Sequence, residues 1–89
     1  MLYHSIDFTK SFLKQFKVLR PKQRERFYER LDLFKKNPHD KALRDHALKG
    51  KYKGYRSIDI ENDLRALYYV KEDVVVIFGF IGTHSQLYG

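Results

Sequence analysis

Two imidazoles, one carboxylate and a set of guanidinium and ammonium groups are the side chains of this chain best suited to chemistry. His46 lies mid-chain in Asp45-His46-Ala47-Leu48-Lys49-Gly50, and His84 lies in the ending Gly82-Thr83-His84-Ser85-Gln86-Leu87-Tyr88-Gly89. Asp63 falls between them, two residues before Arg65, and Arg56 closes Lys53-Gly54-Tyr55-Arg56. A histidine of ordinary pKa, about 6.5, exchanges protons near neutrality, so two of them supply a base and an acid. Phosphoester transesterification needs that pair: a base for a ribose 2′-hydroxyl, an acid for the leaving 5′-oxygen, and cations on the charged phosphorane. Arginine's rigid fork of donors fits the equatorial oxygens, where electrostatic stabilisation is usually the largest contribution. Arg56 and Arg65 are the candidates for that task. Lys49, Lys51 and Lys53 are placed to hold flanking phosphates, and Tyr88 offers a ring on which a base can stack.

The charge distribution supports an anionic partner. Residues 35–56 hold eight Lys/Arg and two Asp/Glu, a net +6, whereas residues 57–89 hold two and five, a net −3. Much of the overall +7 is therefore concentrated in one segment, which favours nucleic acid, an anionic membrane surface or an acidic protein. There is no cysteine, so disulfides and thiolate metal sites are excluded. The four histidines lack a ligand spacing such as H-x₃-H, His4 and His39 read as surface residues, and no metal site or cofactor is expected. The opening MLYHSIDFTK has no basic stretch followed by an apolar run, and no apolar run approaches the roughly 20 residues that cross a bilayer. A cytoplasmic protein without a membrane partner is the expectation.

These groups need elements to position them. At 89 residues one domain over 1–89 is expected, and a hydrophobic share of 43% is too high for a disordered chain. Residues 2–6 suggest a short strand, after which Ser5 or Asp7 can cap a helix. Phe8, Phe12, Phe16 and Leu19 recur at steps of four, four and three, one face of that helix. Pro21 suits the first turn of a second helix with Phe27, Leu31 and Phe34 as its apolar stripe, ended by Asn37-Pro38. Residues 35–54 read as loop, with one turn around 41–44. From Tyr55 the period becomes two: Arg56, Ile58 and Ile60 share one face, and Tyr55, Ser57 and Asp59 share the other. Strands are expected over 55–60, 64–70 and 74–81, the last apolar on both faces and so central, with turns at 61–63 and 71–73. Residues 82–89 read as a short tail. The predicted architecture is α+β: an N-terminal helical hairpin packed on one face of a small antiparallel sheet, with the charged residues lining the open face.

Four segments follow one another in register: DH-x-L-x-G at 45–50, KGYR at 53–56, an acid at the turn (Asp63), and GTH-x-x-L-aromatic-G at 82–89. In this they resemble the YafQ branch of the RelE/ParE toxin superfamily. The resemblance is close from about residue 45 onward and is only a matching pattern of helices before that. It implies a RelE-like fold and the toxin role of a type II toxin-antitoxin system. It also implies metal-independent cleavage of messenger RNA in the ribosomal A site, leaving a 2′,3′-cyclic phosphate and a 5′-hydroxyl. On this resemblance His46, Asp63 and His84 match the family's acid/base positions, Tyr88 its terminal aromatic, and Arg56 the arginine of KGYR. Arg65 matches instead an arginine of the RelE branch that YafQ-like sequences lack. Where the YafQ pattern has a further histidine, two residues after the position of Ser57, this chain has Asp59, which alters the division of labour at the site.

The same resemblance implies a cognate antitoxin whose C-terminal segment wraps a free toxin expected to be monomeric, and the +6 segment would attract an acidic one. Two other functions fit parts of the sequence. A ParE-like poison of gyrase on the same fold needs no acid/base pair, and a non-enzymatic nucleic-acid-binding module needs only the charge. Each candidate also has a plainer role: His84 can cap a backbone group, His46 can be a solvated loop residue, Asp63 can be a turn former, and Arg56 can pair with an acid such as Asp59.

Overall fold

The first helix begins where a hydroxyl can cap it, at Thr9. The computed structural model describes residues 3–89, and in it Thr9 Oγ1 accepts the Phe12 N–H at 3.1 Å while donating to the Gly79 carbonyl at 2.8 Å. The expected caps Ser5 and Asp7 are instead part of strand β1 (Ser5–Phe8), so the strand sits further along than residues 2–6. Leu2 lies outside the described residues. Helix α1 (Lys10–Lys17) is followed by α2 (Pro21–Lys36), with proline in its first turn. The Arg20 N–H, left over at that start, donates to Gln23 Oε1 at 3.0 Å. The apolar stripes meet as their spacing predicts: Phe12, Phe27, Leu31 and Phe34 are buried together. Phe8 is in β1 rather than on the helix, yet its ring still reaches the stripe, 5.1 Å from Phe12 and 5.9 Å from Phe78.

The rest of the chain is strand and turn. Strand β2 (His46–Ala47) lies between two single 3₁₀ turns, Lys41–Leu43 and Gly50–Tyr52. Then come β3 (Arg56–Glu61), β4 (Leu64–Lys71), β5 (Val75–Gly82) and a final helix α3 (His84–Tyr88). The first 3₁₀ turn is the one expected; β2 and the second turn replace what reads as featureless loop. The expected tail is α3, and its cause is local. Thr83 Oγ1 accepts the Gln86 N–H at 3.3 Å, and Gln86 Oε1 accepts the Thr83 N–H at 2.8 Å, a reciprocal capping box.

The five strands form one sheet in the order β1-β5-β4-β3-β2. The predicted meander β3-β4-β5 is antiparallel, as is β2 against β3, but β1 joins β5 in parallel. A parallel neighbour requires a long crossover, and the helical hairpin begins that return. Strand β5 is paired on both sides, which accounts for its apolar run, while β4 occupies the middle. The hairpin covers the face that carries Ile58, Ile60, Ala66, Tyr68, Val76 and Phe78. On the opposite face Leu67 is covered by Tyr52 and Leu87, which seats α3 there. A register shift between Leu67 and Tyr68 leaves Gly79 without a partner on β4, and the Tyr55 ring lies against it.

Candidate active site

Cross-strand partners share a face, so the pairings locate each candidate side chain. His46 pairs with Ser57, and Asp59 pairs with Arg65, which in turn pairs with Gly82. Ser57 and Asp59 are two residues apart on β3. His46, Asp59 and Arg65 therefore lie on the face that the hairpin leaves uncovered, the same face that carries α3. Arg65 Nη2 is 3.2 Å from Asp63 Oδ1, and Asp63 Oδ2 accepts the His84 backbone N–H at 3.1 Å. The His84 ring stacks on Tyr88 at 4.7 Å and 26°, and Tyr88 meets Tyr52 edge-on at 5.1 Å. Both imidazoles are exposed. His46 on β2 and the end of β5 are three strand steps apart, ~14 Å between backbones. Asp59 and Arg65 occupy the two strands in between.

The local causes are readable. His84 stands in the first turn of α3 because Thr83 caps it, and the last turn is held from the basic loop. Tyr52 Oη donates to the Leu87 carbonyl at 2.7 Å, and Lys51 Nζ donates to the same oxygen at 3.1 Å. Lys51, expected to hold a phosphate, is thus engaged with the end of α3. Lys49 and Lys53 flank the second 3₁₀ turn, are exposed, and form no ion pair among the described residues. Asp59 is flanked by cations: Arg44 Nε lies 3.5 Å from its Oδ2, and Arg65 is opposite on β4.

Arg56 is placed elsewhere. It pairs across the sheet with Tyr68, a core residue, and so belongs to the hairpin face rather than the open one. Its Nε is 2.6 Å from Asp45 Oδ1, and the Tyr68 hydroxyl donates to Asp45 Oδ2. The bond to Asp45 raises the Arg56 pKa, and burial together with the same carboxylate pushes the Tyr68 hydroxyl far above its ordinary range. The expectation that all the charged candidates line the open face fails for this residue. Its alternation with Ile58 and Ile60 points to the core face for a residue at the strand's first position, and a carboxylate is waiting there. Asp45 itself is a residue that sequence reasoning passed over, although it is the acid of the DH segment. Among the described residues no group of three His, Cys, Asp or Glu side chains gathers as a metal site, and no helix is long and apolar enough to cross a membrane.

Over residues 4–89 the sequence matches the family described as bacterial toxin of type II toxin-antitoxin system, YafQ. The chain belongs to that family. Among solved structures it is similar to YafQ of Escherichia coli strain BL21(DE3), at 25% identity and a TM-score of 0.79 over 94% of this chain and 97% of that one. YafQ in the E. coli DinJ-YafQ complex matches at 25% identity and a TM-score of 0.71, again over 94% and 97%. A toxin from Helicobacter pylori, crystallised as a copper-bound mutant, is 36% identical with a TM-score of 0.68 over 98% of this chain and 99% of that one. A comparison with curated proteins returned no match. Membership of the YafQ family makes the chain a toxin of a type II toxin-antitoxin system, and the α+β architecture, a five-stranded sheet with helices, is the one its structural relatives share.

Proposed function

We propose that this toxin is an endoribonuclease that cuts messenger RNA on the translating ribosome by acid/base catalysis, and that a cognate antitoxin silences it. The observation that carries the reading is the exposed face on which His46 and His84 flank the Asp59–Arg65 pair, with Asp63 joining Arg65 to His84. A phosphodiester laid over Arg65 would have an imidazole at each flank: one to take the 2′-hydroxyl proton, one to protonate the 5′-oxygen as the P–O bond breaks. Of the guanidinium groups at this face, Arg65, bonded to Asp63 and paired across the sheet with Asp59, is the one assigned to the phosphorane oxygens. Asp63, already bonded to it, fixes its direction. Lys49 and Lys53 are placed for phosphates outside the scissile step, and Tyr88 for stacking of a base.

The antitoxin reading rests on the family and on charge. The E. coli relative is found in complex with DinJ, and the net +6 of residues 35–56 suits an acidic segment laid across the loop that carries His46. The toxin works in the cytoplasm in this reading, where ribosomes are.

Inducing the chain in cells and mapping RNA ends tests the proposal. Cuts within translated messages, carrying 5′-hydroxyl ends, are expected, and His46→Ala or His84→Ala should relieve growth arrest while leaving a folded protein, since both rings are exposed. Unchanged toxicity in both variants overturns it. Intact messages with inhibited gyrase would point to a ParE-like poison, and salt-sensitive RNA binding without cuts to a binding module.

A further inference from the structure

The acid of the DH segment and the arginine of KGYR, 11 residues apart in sequence, are joined in the fold by a 2.6 Å contact. Neither is used by the chemistry proposed above. Asp45 is nearly covered, its side chain 12% exposed, and its second oxygen takes the Tyr68 hydroxyl. Tyr68 is itself fixed: it is 2% exposed on the middle strand, its ring 5.1 Å from Phe34 and 5.5 Å from Phe78. Residue 45 is thereby tied to the packed core from the hairpin side.

The next residue needs such a tie. His46 opens a strand of two residues, paired at His46–Ser57 and Ala47–Arg56 and continued only by the Leu48 N–H bond to the Tyr55 carbonyl at 2.9 Å, a short ladder for an exposed segment. Alternation then sends the imidazole to the open face. Before Asp45, Arg44 adopts a left-handed backbone (φ 49°) and caps the 3₁₀ turn, and its carbonyl lies 2.8 Å from His46 Nδ1. A carbonyl oxygen only accepts, so Nδ1 must carry the proton when this bond forms, and a neutral ring then has its lone pair on Nε2.

We propose that Asp45 is the positioning residue for His46: clamped by Arg56 and Tyr68, it holds the turn in which the Arg44 carbonyl selects the Nδ1–H tautomer and leaves Nε2 as the proton acceptor. This rests on the reading of His46 as a proton-transfer group. It assigns Arg56 to the anchor rather than to the phosphate. It also gives the buried Tyr68 hydroxyl a role in a site on the opposite face of the sheet.

Nitrogen–proton correlation NMR on histidine-labelled protein reads the tautomer directly. His46 should give the Nδ1–H pattern in the unmodified chain. In Asp45→Ala the pattern should become a mixture of tautomers, and cleavage should fall about 100-fold, since a misplacement of about 1 Å is enough for that. Tyr68→Phe keeps the core ring and removes only the hydroxyl. It should shift the tautomer part of the way, and it carries the test if Asp45→Ala does not fold. An unaltered Nδ1–H pattern with full cleavage in a folded Asp45→Ala or Tyr68→Phe protein overturns the proposal. The tautomer is read without RNA, so a chain that cuts nothing yet shows these spectral changes counts against the nuclease and for the anchor.

Discussion

The Asp63 carboxylate accepts the backbone N–H of His84 at 3.1 Å, bridging the β3–β4 turn and the first turn of α3. Its other oxygen meets Arg65, so one side chain sets both the guanidinium and the start of the helix that carries the imidazole. Asp63→Ala should therefore lower RNA cleavage at least about tenfold, because orientation and electrostatic terms are lost together. The folding cost should be small, about 1 kcal/mol, since Asp63 is largely exposed. For a domain of this size that corresponds to a fall in Tm of roughly 4–8 °C. Asp63→Asn keeps an oxygen acceptor and should fall between. Paired cleavage assays and thermal melts check this; undiminished cleavage in Asp63→Ala would remove the carboxylate from the argument.

The three lysines after His46 should separate by role. Lys49 and Lys53 are exposed beside the second 3₁₀ turn, whereas Lys51 is bonded to Leu87. If the first two hold RNA phosphates, Lys49→Gln and Lys53→Gln should each reduce the salt slope of RNA binding by about 1. Lys51→Gln should leave the slope nearly unchanged and speed hydrogen exchange at Gly89, whose N–H closes the last turn of α3 onto Ser85. Titrations of RNA at several salt concentrations, together with exchange rates, distinguish the two kinds of lysine.

That division was not visible in the sequence, and the reason is general to the site. Periodicity reports which residues share a face within one element, and it did so for Phe12, Phe27, Leu31 and Phe34, for the alternation of β3, and for the apolar run of β5. It does not report pairings between elements. The Asp45–Arg56 contact, the Lys51 bond to Leu87 and the parallel docking of β1 all join residues whose partners lie elsewhere in the chain. Helix α3 leaves no periodic signal because five residues are too few to show one, although Thr83 and Gln86 stand at the spacing of a capping box. The placement of Arg56 is legible in the sequence, since its alternation with Ile58 and Ile60 puts it on the core face.

Burial and Asp45 hold the Tyr68 hydroxyl protonated well above the usual range, near 10, for a tyrosine. The unfolded chain ionises this group at its ordinary value while the folded chain resists, so protons are retained by the native state. Stability from this group is complete below pH 10 and is lost as the pH rises above it. Urea unfolding of the unmodified chain should therefore weaken more steeply above pH 10 than that of Tyr68→Phe, the two curves converging with increasing pH. Parallel curves would mean that the hydroxyl ionises as readily in the fold as outside it.

Gly79 tests how tightly the open face is packed. A Cβ there would lie 2.9 Å from Tyr55 Cε2 and 3.3 Å from its hydroxyl, and the Tyr55 ring is itself confined by Tyr69 at 5.2 Å and Phe80 at 5.6 Å. On the other side of the strand the Gly79 carbonyl takes the Thr9 hydroxyl, which limits how far the backbone can retreat. The added methyl must displace the ring, so Gly79→Ala should cost about 1–3 kcal/mol, the usual range for overpacking. The urea midpoint should fall with the m-value unchanged. Tyr55→Ala in the Gly79→Ala background removes the obstructing ring, so the two changes together should destabilise by less than the sum of their separate effects. Strict additivity would mean that the methyl is accommodated without moving Tyr55, and that this aromatic layer is looser than its contacts indicate.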